Sequence, residues 1–313
     1  SGTASFTAPS GTMTLRGSFN RTGGTFNHNN GTLLIENGYC YLTPGSNLTL
    51  YNVSINATGS SGAGLYPSAS FTIANDLTVQ NNSSSGSVYL QGSYETYPTI
   101  TVLGNVNYPS TASSRSVYIG DSSYYQLTLQ VAGNYTIADS NVTHYAHLTF
   151  IGSEDQTITH SAGTISGGTW NISKSSGTVY TSSTLTASGV YLLLDSANDI
   201  FNASSVSALT LGSLRITNGS FTGPSSSLTL TSYNSTSPSS AFYQSGGSFE
   251  MAASSMSLTH SSYGHFYLTG GSFNAPLTTA SIAGSFNLSG TASFTAPSGT
   301  MTLRGSFNRT GGT

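Results

Sequence analysis

The stretch Asn47-Leu-Thr-Leu-Tyr-Asn-Val-Ser-Ile-Asn56 decides the fold. Leu48 and Leu50 flank a β-branched threonine, which is the pattern of a strand with one buried face. Val53 and Ile55 repeat this alternation, but three residues separate Leu50 from Val53. A single strand would keep the parity of its buried positions. The stretch therefore predicts two short strands joined by a corner.

Similar alternating triplets recur along the chain. Neighbouring copies in the closely spaced groups are roughly 19–29 residues apart, a period typical of one coil of a solenoid. The triplets are Leu48-Thr49-Leu50, Leu77-Thr78-Val79, Leu127-Thr128-Leu129, Leu148-Thr149-Phe150, Leu209-Thr210-Leu211, Leu228-Thr229-Leu230 and Met301-Thr302-Leu303.

A second motif, Gly-Ser-Phe or a close variant, recurs with the first. Glycine supplies the positive φ of a corner, and we expect each phenylalanine to stack on that of the next coil. Examples are Gly219-Ser220-Phe221, Gly247-Ser248-Phe249 and Gly271-Ser272-Phe273. Together the two motifs predict an all-β parallel β-helix, or β-solenoid, of about 12 coils of about 24 residues per 288 residues, with almost no helix.

Residues 289–313 repeat residues 1–25 letter for letter, as SGTASFTAPSGTMTLRGSFNRTGGT. We interpret residues 1–313 as a single β-solenoid, in which 289–313 begins the next 288-residue unit. Both ends are expected to lie inside a coil without a cap, which is the condition for head-to-tail continuation into a filament. The expected unit-to-unit junction contains Phe6, Phe19, Phe26, Phe294 and Phe307.

The composition is polar but almost uncharged. Charged residues make up 5% of the chain and the net charge is −3, against about 25% charged residues in an average soluble protein. This excludes a basic nucleic-acid footprint, and no apolar run is long enough for a membrane span. The sequence lacks an initiator Met and a signal peptide, so we expect a mature product or a fragment. An uncharged, polar surface favours an extracellular or cell-surface location.

N-glycosylation sequons are the most abundant local motif. The alternative is that asparagine fills left-handed corners and stacks into ladders, with Ser or Thr nearby because of the composition. Among the sequons, Asn30, Asn56, Asn81 and Asn82 are predicted to lie at corners and to be the better acceptors. The candidate residues are Asn20, Asn30, Asn47, Asn52, Asn56, Asn81, Asn82, Asn134, Asn141, Asn171, Asn202, Asn218, Asn234, Asn287 and Asn308.

The sequence predicts no catalytic, cofactor-binding or metal-binding residues. The carboxylates that could serve a polysaccharide-cleaving enzyme are Glu154-Asp155 and the pair Asp195 and Asp199, and we expect no basic residue beside either pair. His144 and His147 are three residues apart, which places them on opposite faces of a strand.

Two residues occur once each. Cys40, in Tyr39-Cys40-Tyr41-Leu42, is predicted to be a buried inert thiol, with a reactive thiol as the alternative. Trp170 is predicted to pack in the core rather than to bind sugar.

Residues 23–35 read Gly-Gly-Thr-Phe-Asn-His-Asn-Asn-Gly-Thr-Leu-Leu-Ile and are followed by the stretch 47–56. This pattern resembles the long β-helical repeats of microbial surface and adhesin-type proteins, including fibre-forming tandem-repeat proteins. The resemblance implies a right-handed parallel β-helix, export, and a role at a surface or in a matrix. It transfers no catalytic residues.

Three functions are compatible with these features as hypotheses. The first is a structural segment of a glycosylated extracellular filament whose partners are copies of itself, in one polypeptide or as separate chains. The second is an adhesin stalk or glycan-binding module of a giant secreted protein. The third, less favoured, is a polysaccharide-active enzyme.

Overall fold

The computed structural model describes residues 4–121, 124–252, 254–275 and 277–313. These residues are all-β, and their parallel sheets stack as a β-solenoid of about 13 turns of about 23 residues. The predicted fold is thus confirmed. The described ranges contain no helix that is long and apolar enough to cross a membrane. The chain divides into unit 1, Ser1–Thr149 with Ser161–Thr164, and unit 2, Phe150–His160 with Ile165–Thr313.

The strands of unit 1 are short, most of them of three to five residues. They are β1 (Ser5–Thr7), β2 (Thr12–Leu15), β3 (Phe19–Asn20), β4 (Thr25–Asn27), β5 (Thr32–Glu36), β6 (Tyr39–Thr43), β7 (Thr49–Leu50), β8 (Asn52–Gly59), β9 (Ala63–Pro67), β10 (Phe71–Ile73), β11 (Leu77–Ser83), β12 (Val88–Leu90), β13 (Thr99–Val102), β14 (Val106–Tyr108), β15 (Val117–Ile119), β16 (Thr128–Val131), β17 (Tyr135–Ile137) and β18 (Val142–His144). Two of the three boundaries between the units fall within strands, namely β19 (His147–Phe150) and β21 (Thr164–Ile165).

With the exception of β4, the strands of unit 1 pair in parallel with the third strand along the chain, so one turn contributes one strand to each of three sheets. Sheet 1 runs β2-β5-β8-β11-β14-β17. Sheet 2 runs β3-β6-β9-β12-β15-β18. Sheet 3 runs β7-β10-β13-β16, and β1 pairs separately with β4.

The core of unit 1 is built from aliphatic columns in register. In sheet 1, Leu33, Val53, Leu77 and Val106 stack on one another, and all four are buried. Strand β8 alternates buried and half-buried residues over most of its length. The predicted corner is confirmed, because β7 ends at Leu50 and β8 begins at Asn52.

The strands of unit 2 are similar, except for two long ones whose first and second parts belong to different series of paired strands. They are β20 (Gln156–His160), β22 (Gly168–Ile172), β23 (Val179–Thr181), β24 (Leu185–Leu194), β25 (Ile200–Asn202), β26 (Ala208–Ile216), β27 (Ser220–Thr222), β28 (Ser227–Leu230), β29 (Phe242–Gln244), β30 (Ser248–Glu250), β31 (Ser255–Leu258), β32 (Phe266–Leu268), β33 (Ser272–Asn274), β34 (Thr279–Ile282), β35 (Phe286–Leu288), β36 (Met301–Leu303) and β37 (Phe307–Arg309).

Unit 2 also has three parallel series. Sheet 4 runs β20-β23-β25-β27-β30-β33. Sheet 5 begins with the first part of β24 and continues through β26, β28, β31, β34 and β36. Sheet 6 runs from β22 through the second parts of β24 and β26 to β29, β32, β35 and β37.

Stacked phenylalanines replace much of the aliphatic core in unit 2. In sheet 4, the rings of Phe201, Phe221, Phe249 and Phe273 are parallel, with successive centroids 5.6, 5.3 and 4.7 Å apart. The corner before three of these strands is a glycine with positive φ, at Gly219, Gly247 and Gly271. Both parts of the Gly-Ser-Phe prediction are therefore confirmed in this sheet.

Leu209 and Leu211 are followed by Leu214 and Ile216 with the same spacing that predicts a corner after Leu50, but the corner here takes a different form. The parity does change there, but β26 continues through it as one strand whose two parts pair with β28 and β29. Gly212 lies at this point, and a Cβ there would stand 2.7 Å from the Val190 carbonyl oxygen. Glycine therefore allows the backbone of the adjacent turn to approach more closely than a side chain at this position would permit.

Candidate functional site

Residues 4–25, the described part of the first copy, lie in unit 1, and their strands pair with the following turn. Thr12–Leu15 pairs with Thr32–Ile35, and Phe19 pairs with Leu42. Arg21 also binds the following turn, since its guanidinium donates hydrogen bonds to the carbonyl oxygens of Pro44 and Ser46 at 2.9 and 2.7 Å. An ion pair of 2.8 Å joins Arg16 to Glu36.

The other side of this copy is an aromatic hollow of about 230 Å³. Phe6 stacks on Phe26 at 5.8 Å and leaves 52% of its surface exposed. Phe19 contacts the same Phe26 ring edge-on at 5.6 Å. Three of the five predicted junction phenylalanines therefore form one cluster that faces solvent.

The second copy lies in unit 2 and is held from the side of the preceding turn. Met301–Leu303 pairs with Ala280–Ile282, and Phe307 pairs with Phe286. The side-chain amide of Asn308 donates to Asn287 Oδ1 at 2.8 Å. Arg309, the counterpart of Arg21, donates to the carbonyl oxygens of Gly311 and Gly312 within its own turn.

The two remaining junction phenylalanines, Phe294 and Phe307, lie in this second copy. Phe294 is half-buried and contacts Phe286 and Phe273 at 4.7 and 5.5 Å. Phe307 stacks on Phe286 at 5.4 Å but is 57% exposed. Within this chain, burial of Phe294 and Phe307 is therefore incomplete.

The sequons differ widely in exposure. Seven are exposed, namely Asn20, Asn30, Asn47, Asn82, Asn134, Asn218 and Asn308. Six are half-buried, namely Asn52, Asn56, Asn141, Asn171, Asn202 and Asn287. Asn81 and Asn234 are buried. The Asn81 side chain donates to the carbonyl oxygens of Gly86 and Ser116 and accepts from the amide of Ser83, so its hydrogen-bonding groups are used inside the fold.

The prediction that Asn56, Asn81 and Asn82 lie at corners is wrong. Asn56 is in β8, and Asn81 and Asn82 are in β11, because the strands of these turns continue past their alternating apolar residues. Asn30 does lie in a turn, with φ of 55°. Several sequon residues instead stack between turns, as the alternative interpretation expected. The Asn82 and Asn56 side chains are joined at 3.0 Å, and the Asn75 side chain donates to that of Asn52 at 2.9 Å.

Asp199 and Asp155, two of the candidate carboxylates, act as structural acceptors in unit 2. Asp199 is buried, and its carboxylate accepts hydrogen bonds from the backbone amides of Asp195, Ser196 and Lys174. Burial is the main cause that raises the pKa of Asp199, and the three amide donors oppose it. Asp155 accepts from the backbone amide of Thr178 at 2.8 Å.

The expectation that no basic residue lies beside these carboxylates is wrong. The buried Lys174 ammonium donates to the Glu154 carbonyl oxygen and to Gln156 Oε1, both at 2.7 Å. Burial lowers the pKa of Lys174, and the charges of Asp155 and Glu154 act in the opposite direction. The cluster therefore ties adjacent turns together. Among the described residues, no group of three or more His, Cys, Asp or Glu is arranged to hold a metal ion.

Cys40 and Trp170 are both fully buried, as predicted. Burial raises the pKa of the Cys40 thiol to about 11, against a weaker opposing hydrogen bond from the Phe19 backbone. At pH 8 only about one folded molecule in a thousand then carries the thiolate. We expect a disulfide reagent at pH 8 to label Cys40 at least about 100-fold more slowly in the native chain than in urea. Rapid stoichiometric labelling of the native chain would instead favour the reactive thiol.

No protein-family model matches the chain, and comparisons with curated proteins and with solved structures find no match.

Proposed function

We propose that this chain is a structural segment of an extracellular filament, built by head-to-tail continuation of the β-solenoid. The proposal rests on the way each of the two identical segments pairs with its neighbouring turn. The first copy pairs through the edge that faces the following turn, and the second through the edge that faces the preceding turn. A single segment can make both sets of contacts at once, since each set uses a different edge of the same strands.

If the second copy of one repeat is also the first copy of the next repeat, the columns of stacked side chains continue from repeat to repeat. Met13, the counterpart of Met301, would lie between Ala280 of the preceding repeat and Leu33 of its own repeat. Phe6, the counterpart of Phe294, would lie between Phe273 and Phe26, at the spacings already found on its two sides. This would satisfy the backbone donors and acceptors of the open edges and bury the aromatic hollow, which removes the usual liability of an unpaired strand.

The strand count gives the filament a specific geometry. In this count, the two parts of β24 are two segments, the two parts of β26 are two segments, and the bridge at Ser293 is one segment. Met301–Leu303 is then the thirty-seventh segment after Thr12–Leu15. At three segments per turn, 288 residues make about 12⅓ turns. With about 4.8 Å between paired strands, each repeat would advance roughly 60 Å along the axis. Each repeat would also begin about one third of a turn later than the one before it.

Helical reconstruction of native filaments tests this proposal. The expected result is a repeat of roughly 60 Å in which Met13 stacks between Ala280 and Leu33. The same register is expected whether successive repeats are one polypeptide or separate chains. Isolated particles with covered ends, or a filament in which the identical segments do not share this register, would contradict the proposal.

A separate prediction concerns which sequons carry glycans in material from the native source. We expect glycans on a subset of the seven exposed acceptors and none on Asn81 or Asn234, because a folded chain has no space for sugar at a buried asparagine. Peptide mapping before and after glycosidase treatment measures this. If no exposed sequon carries sugar, the expectation of a glycosylated filament is wrong. Sugar on Asn81 would contradict the buried position of this side chain.

A further inference from the structure

One corner of sheet 6 carries a histidine where the next two turns carry serine. The three corners are Gly264-His265-Phe266, Gly284-Ser285-Phe286 and Gly305-Ser306-Phe307, so His265 replaces the serine of a Gly-Ser-Phe motif. Each corner leads directly into a strand of sheet 6, and these strands, β32, β35 and β37, pair in register. His265, Ser285 and Ser306 therefore occupy equivalent positions in consecutive turns.

Two of these side chains accept the same kind of hydrogen bond from the following turn. The Ser285 amide donates to His265 Nδ1 at 2.9 Å, and the Ser306 amide donates to Ser285 Oγ at 3.3 Å. Gly284 makes room for the imidazole, since a Cβ there would stand 2.6 Å from His265 Nδ1. The Gly284 amide also donates to the Gly264 carbonyl oxygen at 3.0 Å. The His265 side chain thus supplements a backbone contact that holds the next corner.

The hydrogen bond to His265 depends on the protonation state of the imidazole. A neutral imidazole can accept at Nδ1, whereas an imidazolium carries a proton on both nitrogens and can only donate. Protonation of His265 therefore removes the acceptor of the Ser285 amide and places two N–H groups against each other. The Ser285 hydroxyl, which accepts from Ser306, does not titrate in this pH range.

No acidic partner favours the charged form of His265. Among the described residues, it forms no ion pair with a carboxylate. Burial lowers the pKa of His265, and no neighbouring charge contributes to this shift. The corner 283–285 of the following turn contains no titratable side chain. The titratable and charged groups around His265 are His260, Tyr263 and Tyr267 in its own turn, and Tyr233, Tyr243 and Arg215 in the preceding turns.

The folded chain therefore binds a proton at His265 less readily than the unfolded chain does. A histidine in an unfolded chain has a pKa of about 6.5, and the pKa of His265 in the folded chain is lower. The contribution of this contact to stability is complete above about pH 7, and it decreases as the pH falls through about 6.5 towards the folded pKa. Opening of the corner, which exposes the imidazole, becomes more favourable in acid.

We propose that His265 is an acid-sensitive switch that controls the packing of the last two turns of unit 2. Neutral His265 holds the corner at Ser285, which leads into Phe286. The Phe286 ring contacts Phe294 and Phe307, at 4.7 and 5.4 Å. Protonation breaks the contact between His265 and Ser285 and favours local opening of the turns that contain the second copy of the repeated segment.

The switch lies next to the segment that successive repeats are proposed to share. Ser306 is the counterpart of Ser18 in the first copy. In the proposed filament, the corner at Ser18 would pack on the Ser285 corner of the preceding repeat, and mild acid would weaken every junction. This extension rests on the proposed function, whereas the switch itself is tested in the isolated 313-residue chain.

Hydrogen exchange of the Ser285 and Ser306 backbone amides in the full chain tests the switch. After correction for the intrinsic exchange rate, protection of both amides should fall at least about threefold between pH 7.5 and pH 5.0, because one hydrogen bond of the corner is lost. In the same samples, the imidazole of His265 is titrated by nuclear magnetic resonance and should show a pKa below about 6.5.

Two variants keep an acceptor at the corner and remove its titration. In His265→Asn the side-chain oxygen takes the place of Nδ1, and His265→Ser restores the serine of the neighbouring corners. Both should abolish the fall in protection. His28→Asn is the matched control, because His28 Nδ1 accepts from the Asn30 amide within its own turn of unit 1 at 3.0 Å. This variant should leave the acid response at Ser285 unchanged.

Several results would overturn the proposal. They are constant protection at Ser285 across the titration, a fall that persists in the folded His265 variants, and a pKa of His265 at or above about 6.5. Loss of the response in His260→Asn, with His265 intact, would assign the switch to the other histidine of the loop and is equally contrary. Circular dichroism shows whether each variant folds; if one does not, the other variant and the titration of the unaltered chain decide.

Discussion

Replacing Phe249 with alanine should lower the free energy of unfolding of unit 2 by about 3–5 kcal/mol. Phe249 is fully buried, and its ring contacts Phe221 at 5.3 Å, Phe273 at 4.7 Å and Phe242 at 5.3 Å. Truncation leaves a cavity in the middle of the stack. Its neighbours cannot close this cavity, because each ring is fixed by the strand register above and below it. The midpoint of urea unfolding, followed by circular dichroism, measures the effect.

Two variants separate cavity formation from loss of an aromatic ring. Phe249→Leu keeps most of the buried volume and should cost less than about 2 kcal/mol. Phe307→Ala removes a ring that is 57% exposed and should cost under about 1 kcal/mol in this chain. Equal effects of Phe249→Ala and Phe307→Ala would mean that the stack is not the source of stability.

The fold was predictable because each turn of a solenoid repeats a similar pattern of apolar residues in the sequence. The parity change between Leu50 and Val53 predicted a corner, and the spacing of the apolar triplets predicted the turn length. The form of the corner at Gly212 was not predictable, since it depends on the approach of the Val190 carbonyl from the adjacent turn. Likewise, the continuation of β11 through Asn81 and Asn82 is set by pairing with β8, which the local sequence does not show.

The candidate sites were predictable to different degrees. Letter-for-letter repetition predicted the junction segment, but only the structure shows that each copy uses a different edge. The stacked tyrosines Tyr66, Tyr89 and Tyr118 were missed, although they recur at the turn period on outward positions of neighbouring strands. Lys174 lies 18 residues after its partner Gln156, a separation shorter than one average turn, and a single lysine has no periodicity to reveal that it is buried.

The contribution of Phe294 to stability should depend on whether another repeat packs against it. In the 313-residue chain this ring contacts Phe273 and Phe286 but remains half-buried, so Phe294→Ala should cost about 1–2 kcal/mol. In a chain that continues through a second complete repeat, the counterpart of Phe26 should cover the ring in the way that Phe26 covers Phe6. The same substitution there should cost about 3–5 kcal/mol, because solenoid stability depends on contacts between neighbouring turns.

The comparison uses urea unfolding of both chains with and without Phe294→Ala. Phe6→Ala is the matched control, since Phe6 occupies the first copy and keeps the same exposed side in both chains. Its cost should be equal in the two backgrounds, whereas the cost of Phe294→Ala should rise by at least about 1 kcal/mol in the longer one. If Phe294→Ala costs the same in both chains, the following repeat does not pack on this ring. Continuation of the solenoid through the repeated segment would then be wrong, even if the chain were found in a filament.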